Sequence, residues 1–175
     1  KYAVCVNSGS SANMIAIAAM FFYSELERGD EIIVPSVGWS TTYAPLFYLG
    51  LKPVFVDIDF NTLNIDTNKI EEKINEKTKA ILTVNLLGCP SNFDMLNSLA
   101  KKYDLMLLED NCESMGAMHD NKFCGTYGIG GTFSFFYSHH ITTIEGGMIL
   151  TDDFEFYNIC ISLRSHGWLR GVDEK

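Results

Sequence analysis

The sequence has no Cys-x-x-Cys pair, no closed set of cysteines and no long apolar run. Its five cysteines (Cys5, Cys89, Cys112, Cys124 and Cys160) are an odd number and fit no disulfide framework. Several lie inside apolar runs such as AVCV and YNICISL, where a free thiol behaves as a small hydrophobe. That usage points to a reducing, cytoplasmic setting. The longest apolar run, Met14 to Tyr23, is too short to cross a bilayer, and no signal-peptide pattern opens the sequence. Positive charge is scarce. Thirteen Lys and Arg against 22 Asp and Glu leave a net charge of -9, which argues against nucleic acid or an anionic membrane as partner. The acid is spread along the chain and forms no tail. Neither G-x-G-x-x-G nor a P-loop with its lysine occurs, which argues against a bound dinucleotide or triphosphate. Repeats, linkers and low-complexity segments are also missing.

What is present describes one globular domain over residues 1–175. The hydrophobic share is 47% and the charged share 20%, and the length allows a real core. Lys1 leads straight into an apolar strand and Arg170-Gly-Val-Asp-Glu-Lys175 follows an apparent helix, so the chain is expected to be a fragment of a larger protein.

Seven apolar runs are predicted strands: Ala3–Val6, Glu31–Val34, Pro53–Asp57, Ala80–Val84, Leu105–Glu109, Gly131–Phe135 and Met148–Thr151. Nearly continuous Val, Ile, Leu and Phe predict strands buried on both faces. Helices are predicted at Ser11–Arg28 (Ser11 and Asn13 at its start, Gly29 as its stop), Thr41–Leu49, Thr67–Ile74 and Asn92–Tyr103. This alternation predicts an α/β fold with a mostly parallel sheet. The last two strands are joined only by a turn, so one of them is expected to run antiparallel.

Such a sheet carries ligands at the carboxyl ends of its strands. After the first strand comes Asn7-Ser-Gly-Ser-Ser-Ala-Asn13. Gly9 permits a tight turn, Ser10 and Ser11 supply hydroxyls, and the helix offers free N–H groups and its positive dipole end. This is a phosphate cradle, though it also reads as a plain serine cap. Trp39 follows the second strand and suits stacking on a flat ring; the alternative is a core tryptophan. Asp110 ends the apolar LMLL run, and a carboxylate there needs a cationic or protonated partner, unless it is a cap or a surface pair. The sixth strand leads to Ser134 and then to His139 and His140, which also read as surface residues. A phosphate site, a stacker, a carboxylate suited to a protonated ring nitrogen and a base together describe a pyridoxal phosphate pocket. The lysine such a pocket normally needs is missing, and His139 stands in its expected place.

The segments NSGSSAN, IIVPS-x-x-W, PVFVDID-x-x-TLNID, LLED, SFFYSHH and EGGM-x-LTDD resemble the DegT/DnrJ/EryC1/StrS sugar aminotransferase family. The resemblance runs nearly end to end and covers the cofactor-binding large domain of the type I aminotransferase fold. It leaves out an N-terminal segment and a C-terminal small domain. It implies pyridoxal phosphate bound by Gly9, Ser10, Ser11 and Ser134, stacked under Trp39, with Asp110 on the ring nitrogen and Glu113 at the ring edge. Ordinary members read roughly S-F-x-x-x-K-N at the turn, whereas this chain has His139 and His140. That departure is similar to the sugar 3-dehydratase branch of deoxysugar and lipopolysaccharide O-antigen biosynthesis. The branch uses free pyridoxamine phosphate to remove the C3 hydroxyl of a nucleotide-linked 4-keto-6-deoxyhexose. The resemblance implies His139 as base, a task that suits imidazole near neutral pH. It also implies a homodimer.

The branch has two forms, one with an iron–sulfur cluster. Cys112 matches one of its ligands, but Arg170-Gly-Val172 stands where a Cys-x-Cys is expected and no cysteine follows Cys160. No cluster or other metal is therefore expected, and glutamate is the expected amino donor. The rival expectations are an aminotransferase, an inactive family member, and a non-catalytic binding protein on the same sheet.

Overall fold

The computed structural model describes residues 1–169, so the expectation placed on Arg170–Val172 lies outside the described residues. The strands are β1 (Tyr2–Val6), β2 (Glu31–Pro35), β3 (Lys52–Val56), β4 (Thr78–Val84), β5 (Met106–Asp110), β6 (Met118–His119), β7 (Lys122–Phe123), β8 (Gly130–Ser134) and β9 (Gly147–Thr151). The helices are α1 (Gly9–Tyr23), α2 (Ser40–Leu49), α3 (Phe93–Tyr103) and α4 (Phe154–Arg164).

Seven strands form one sheet in the order β1-β9-β8-β5-β4-β2-β3. β2, β3, β4, β5 and β8 pair in parallel, and β9 runs antiparallel between β1 and β8. The antiparallel partner expected of the last two strands is thus β9. Neighbouring residues of the central strands serve opposite faces. Ile32 joins the core under α1, α2 and α4, while Ile33 joins the core under α3. That two-sided burial is why the runs are apolar without alternation. The edge strands β1 and β3 keep exposed positions.

Helix ends differ from expectation. α1 begins at Gly9 because Ser8, not Ser11, is its cap: the Ser8 hydroxyl accepts the Ser11 N–H at 3.1 Å. It stops at Tyr23, well short of Arg28: the backbone turns extended at Ser24, whose hydroxyl adds to the bond its N–H makes to the Met20 carbonyl. Gly29 lies in the turn leading to β2. The helix expected over Thr67–Ile74 is two short 3-10 turns, Thr67–Lys69 and Glu71–Lys73. Asp66 bonds the Asn68 N–H, and the tighter bonds Lys73 N–H to Ile70 and Ile74 N–H to Glu71 drive Ile70 into the core. The short β6–β7 hairpin was not expected. Asp120 and Asn121 at its tip both take positive φ, a turn these residues tolerate.

α2 ends at Gly50 as expected but carries Pro45 inside. Proline has no N–H, so the Thr41 carbonyl lacks its helical donor. Asn13 of α1 reaches it instead, its amide nitrogen 3.5 Å away. This contact ties α1 to α2 beside the carboxyl ends of the strands.

Candidate active site

A cleft of about 550 Å³ opens there, within the usual range for small-molecule sites. Gly9, Ser10, Trp39, Asp110, Glu113, Ser134 and His139 all line it. Ser11 does not. Its hydroxyl pairs with Ser8 at 3.1 Å, and its side chain borders a separate hollow near Cys5, Met14 and Arg164. Ser8 lines the cleft in its place. His140 is exposed and is not part of the lining, so of the two adjacent histidines only His139 faces this space.

The anion end of the cleft is the start of α1. Gly9 is buried against the end of β8: a Cβ there would stand 2.5 Å from the Ser134 Cβ and 2.9 Å from the Cys112 sulfur. Only glycine lets the helix N-terminus approach Ser134 this closely. Free N–H groups and the Ser10 and Ser134 hydroxyls then share one corner, as an anion site requires.

Trp39 stands at the mouth, 70% exposed, just before the first turn of α2. The core reading of this side chain does not hold. Its ring is free to cover a ligand.

Asp110 lies on the floor, 4% exposed. Its Oδ2 accepts the Asn13 side-chain N–H at 2.9 Å and the Thr42 hydroxyl at 2.6 Å. Its Oδ1 accepts the Cys112 backbone N–H at 3.1 Å. Among the described residues no ion pair involves Asp110. The cationic partner expected of this carboxylate is therefore not a side chain described here. Two neighbours feel the site. Burial and then the Asp110 charge push the Tyr43 phenol up to about 12, while its O–H donates to the Pro35 carbonyl at 2.9 Å. Burial, with Asp110 and Glu113 adding to it, pushes the Cys112 thiol up, so it stays neutral. Glu113 accepts the Leu87 N–H at 3.1 Å, which orients its side chain along the cleft wall.

Ser134 accepts the Phe136 N–H at 3.3 Å and His139 N–H bonds the Phe136 carbonyl at 3.0 Å, so the turn folds back over the end of β8. The His139 ring sits edge-on to Phe136, with centroids 6.4 Å apart. Sequence reasoning missed Thr42 and the second role of Asn13. The available signal was Asn13 itself, a polar residue just before the apolar run of α1 and 1% exposed.

A pyridine cofactor with a phosphate arm fits these residues. The anion corner, a flat aromatic face and a carboxylate without a charged partner lie in one cleft of adequate size.

Comparison with known proteins agrees with this chemistry. The profile of the DegT/DnrJ/EryC1/StrS aminotransferase family matches residues 1–175. The GDP-4-keto-6-deoxy-D-mannose 3-dehydratase of Escherichia coli O55:H7 is 59% identical over 100% of this chain and 46% of the relative. A solved structure of the E. coli enzyme with bound hydrated PLP superposes with a TM-score of 0.95, again at 59% identity, 100% of this chain and 46% of that one. A second structure, of GDP-4-keto-6-deoxymannose-3-dehydratase with a trapped PLP-glutamate geminal diamine, has the same TM-score of 0.95, the same 59% identity and the same coverages of 100% and 46%. The chain thus spans about half the length of the relatives it matches. The sheet and its helices have the expected architecture, the α/β large domain of the type I PLP-dependent aminotransferase fold. On its sequence from first residue to last, the chain belongs to the DegT/DnrJ/EryC1/StrS aminotransferase family.

Proposed function

We propose that this chain is the cofactor-binding part of an enzyme that removes the C3 hydroxyl of a GDP-linked 4-keto-6-deoxyhexose, using pyridoxamine 5'-phosphate. One observation carries the reading: the cleft that fits the cofactor is faced by His139 where the family's aminotransferases place a lysine. Imidazole forms no Schiff base with the cofactor and can accept and donate a proton.

When bound, the cofactor supplies an electron sink. Gly9, Ser10, Ser134 and the start of α1 hold the phosphate, with Ser8 as the cap that orients that helix end. The Ser11 hydroxyl is engaged by Ser8 and lies off the cleft. Trp39 covers the ring, Asp110 takes its nitrogen and Glu113 orients its edge. His139, which faces the cleft, would take up and return the proton that loss of the C3 hydroxyl requires.

The GDP nucleotide and the keto sugar are inferred from the 59% identical relative, and glutamate as amino donor from the structure of such an enzyme with a trapped PLP-glutamate species. Exposed Trp39, Leu87, Tyr137 and Ile144 form an apolar rim around or near the cleft, which supports a homodimer that covers it. No helix among the described residues is long and apolar enough to cross a membrane, and all five cysteines are free thiols. Both facts support the cytoplasmic reading.

The test is incubation of the full-length protein with a GDP-linked 4-keto-6-deoxy sugar, pyridoxamine phosphate and glutamate. Mass spectrometry is expected to show a product lacking the C3 oxygen. A 4-amino sugar as the sole product would establish the aminotransferase alternative, and unchanged sugar would refute both.

A further inference from the structure

A carboxylate offers about four acceptor positions on its two oxygens. Three of those on Asp110 are filled from within the described chain. Oδ2 takes the Asn13 and Thr42 side chains and Oδ1 takes the Cys112 N–H, with the neutral Cys112 thiol, a weak donor, beside the carboxylate. The remaining acceptor position therefore belongs to Oδ1. Among the described residues no ion pair involves Asp110, which leaves it open to a cationic group of the ligand.

Asn13 is wired so that its nitrogen, not its oxygen, meets Asp110. Its Oδ1 accepts the Thr132 hydroxyl at 2.6 Å, and its nitrogen also reaches the Thr41 carbonyl that Pro45 leaves without a helical donor. A flipped amide would turn its oxygen toward the carboxylate and lose the bonds to Asp110 and to the Thr41 carbonyl. Asn13 comes from α1 and Thr42 from α2, so two helices converge on one oxygen at the end of β5, and Thr132 of β8 holds Asn13 from behind. Asn13 and Thr132 are buried and do not line the cleft, which separates them from residues that touch ligand.

We infer that Asn13 and Thr42 are positioning residues for the cofactor ring: they hold Asp110 Oδ2 in place and so present Oδ1 to a protonated pyridine nitrogen. This rests on the reading of the cleft given above. Hydrogen bonds donated to a carboxylate favour its charged form. Without them the carboxylate is free to turn, and its contact with the protonated ring nitrogen is weakened. The ring then loses its proton more readily and the electron sink is weak. Thr132 acts one step further out by fixing the Asn13 amide.

The experiment uses the full-length protein loaded with pyridoxamine phosphate carrying ¹⁵N in the ring, whose chemical shift reports protonation directly. The wild-type ring is expected to stay protonated from neutral to mildly alkaline pH. Thr42→Val, nearly isosteric, and Asn13→Ala are each expected to lower the deprotonation midpoint by roughly one to two pH units, with turnover falling over the same range. Thr132→Val is expected to move it less. Thermal unfolding separates loss of fold from loss of the ring proton, and Thr42→Val decides if Asn13→Ala does not fold. An unmoved ¹⁵N shift in Thr42→Val overturns the inference. A ring that stays protonated in Asp110→Asn overturns instead the underlying assignment of Asp110, so the two failures are distinct.

Discussion

β5 ends in two adjacent carboxylates that face opposite sides of the sheet, and they behave as two different regions of the molecule. Glu109 points to the α3 side and is fully buried. Its oxygens accept the backbone N–H groups of Gly125 at 2.6 Å, Tyr127 at 2.6 Å and Gly128 at 3.0 Å, and the Asn85 amide at 3.5 Å. Every donor it meets is protein, so it pins the loop before β8 and has nothing to offer a ligand. Asp110 points to the cleft, takes its side-chain donors on one oxygen and keeps an acceptor position open on the other. Burial alone therefore does not mark function. The open valence does.

The comparison breaks most sharply by exchange of charge for amide. Asp110→Asn is expected to lower turnover of the full-length enzyme below detection while the unfolding midpoint moves little, because Asn keeps the shape but cannot hold a ring nitrogen protonated. Turnover near wild type would remove Asp110 from the site. His139→Asn comes next, with a loss of about 10²–10⁴ in rate, the usual contribution of a positioned acid or base. His140→Asn serves as its control and is expected to change the rate little, since His140 lies off the cleft. A reversed pattern in steady-state assays would mean that the base is the second histidine.

Glu109→Gln should show the opposite profile: a stability loss of about 2 kcal/mol in denaturant melts, with cofactor affinity kept. Its pH dependence has a defined sign. Burial, outweighing the donated hydrogen bonds, raises Glu109 above its ordinary value of 4.5. Between that ordinary value and the raised one the folded state binds the extra proton, so stability falls as pH rises through the window. Glu109→Gln should flatten that slope, and an unchanged slope would assign it to another group. The smallest effect is Trp39→Ala, about 1 kcal/mol of cofactor affinity for one stacking contact; equal affinity by titration would leave Trp39 a rim residue only.

Most of the sheet was legible because two-sided burial writes itself as unbroken apolar runs such as EIIVP and TKAILTV. The residues of the cleft were legible where they follow strand ends: Gly9, Ser10, Trp39, Asp110, Glu113, Ser134 and His139 all do. Ser11 was placed in the cleft by its nearness to Gly9, but one helical step decides which face a side chain takes, and the Ser8 cap set the phase. The Asn13–Asp110 and Thr42–Asp110 bonds join residues 97 and 68 apart in sequence, and no local pattern carries such a pairing. Ser24, where α1 ends early, carries a side-chain bond of the kind that competes with the helix.

The central claim is that His139 occupies the place of a cofactor-binding lysine. His139→Lys in the full-length enzyme tests it in one cuvette with added pyridoxal phosphate. The account predicts a new visible absorbance band, fixed to the protein by borohydride, together with loss of C3 dehydration. A variant that shows no such band and still dehydrates the GDP-linked keto sugar would contradict it.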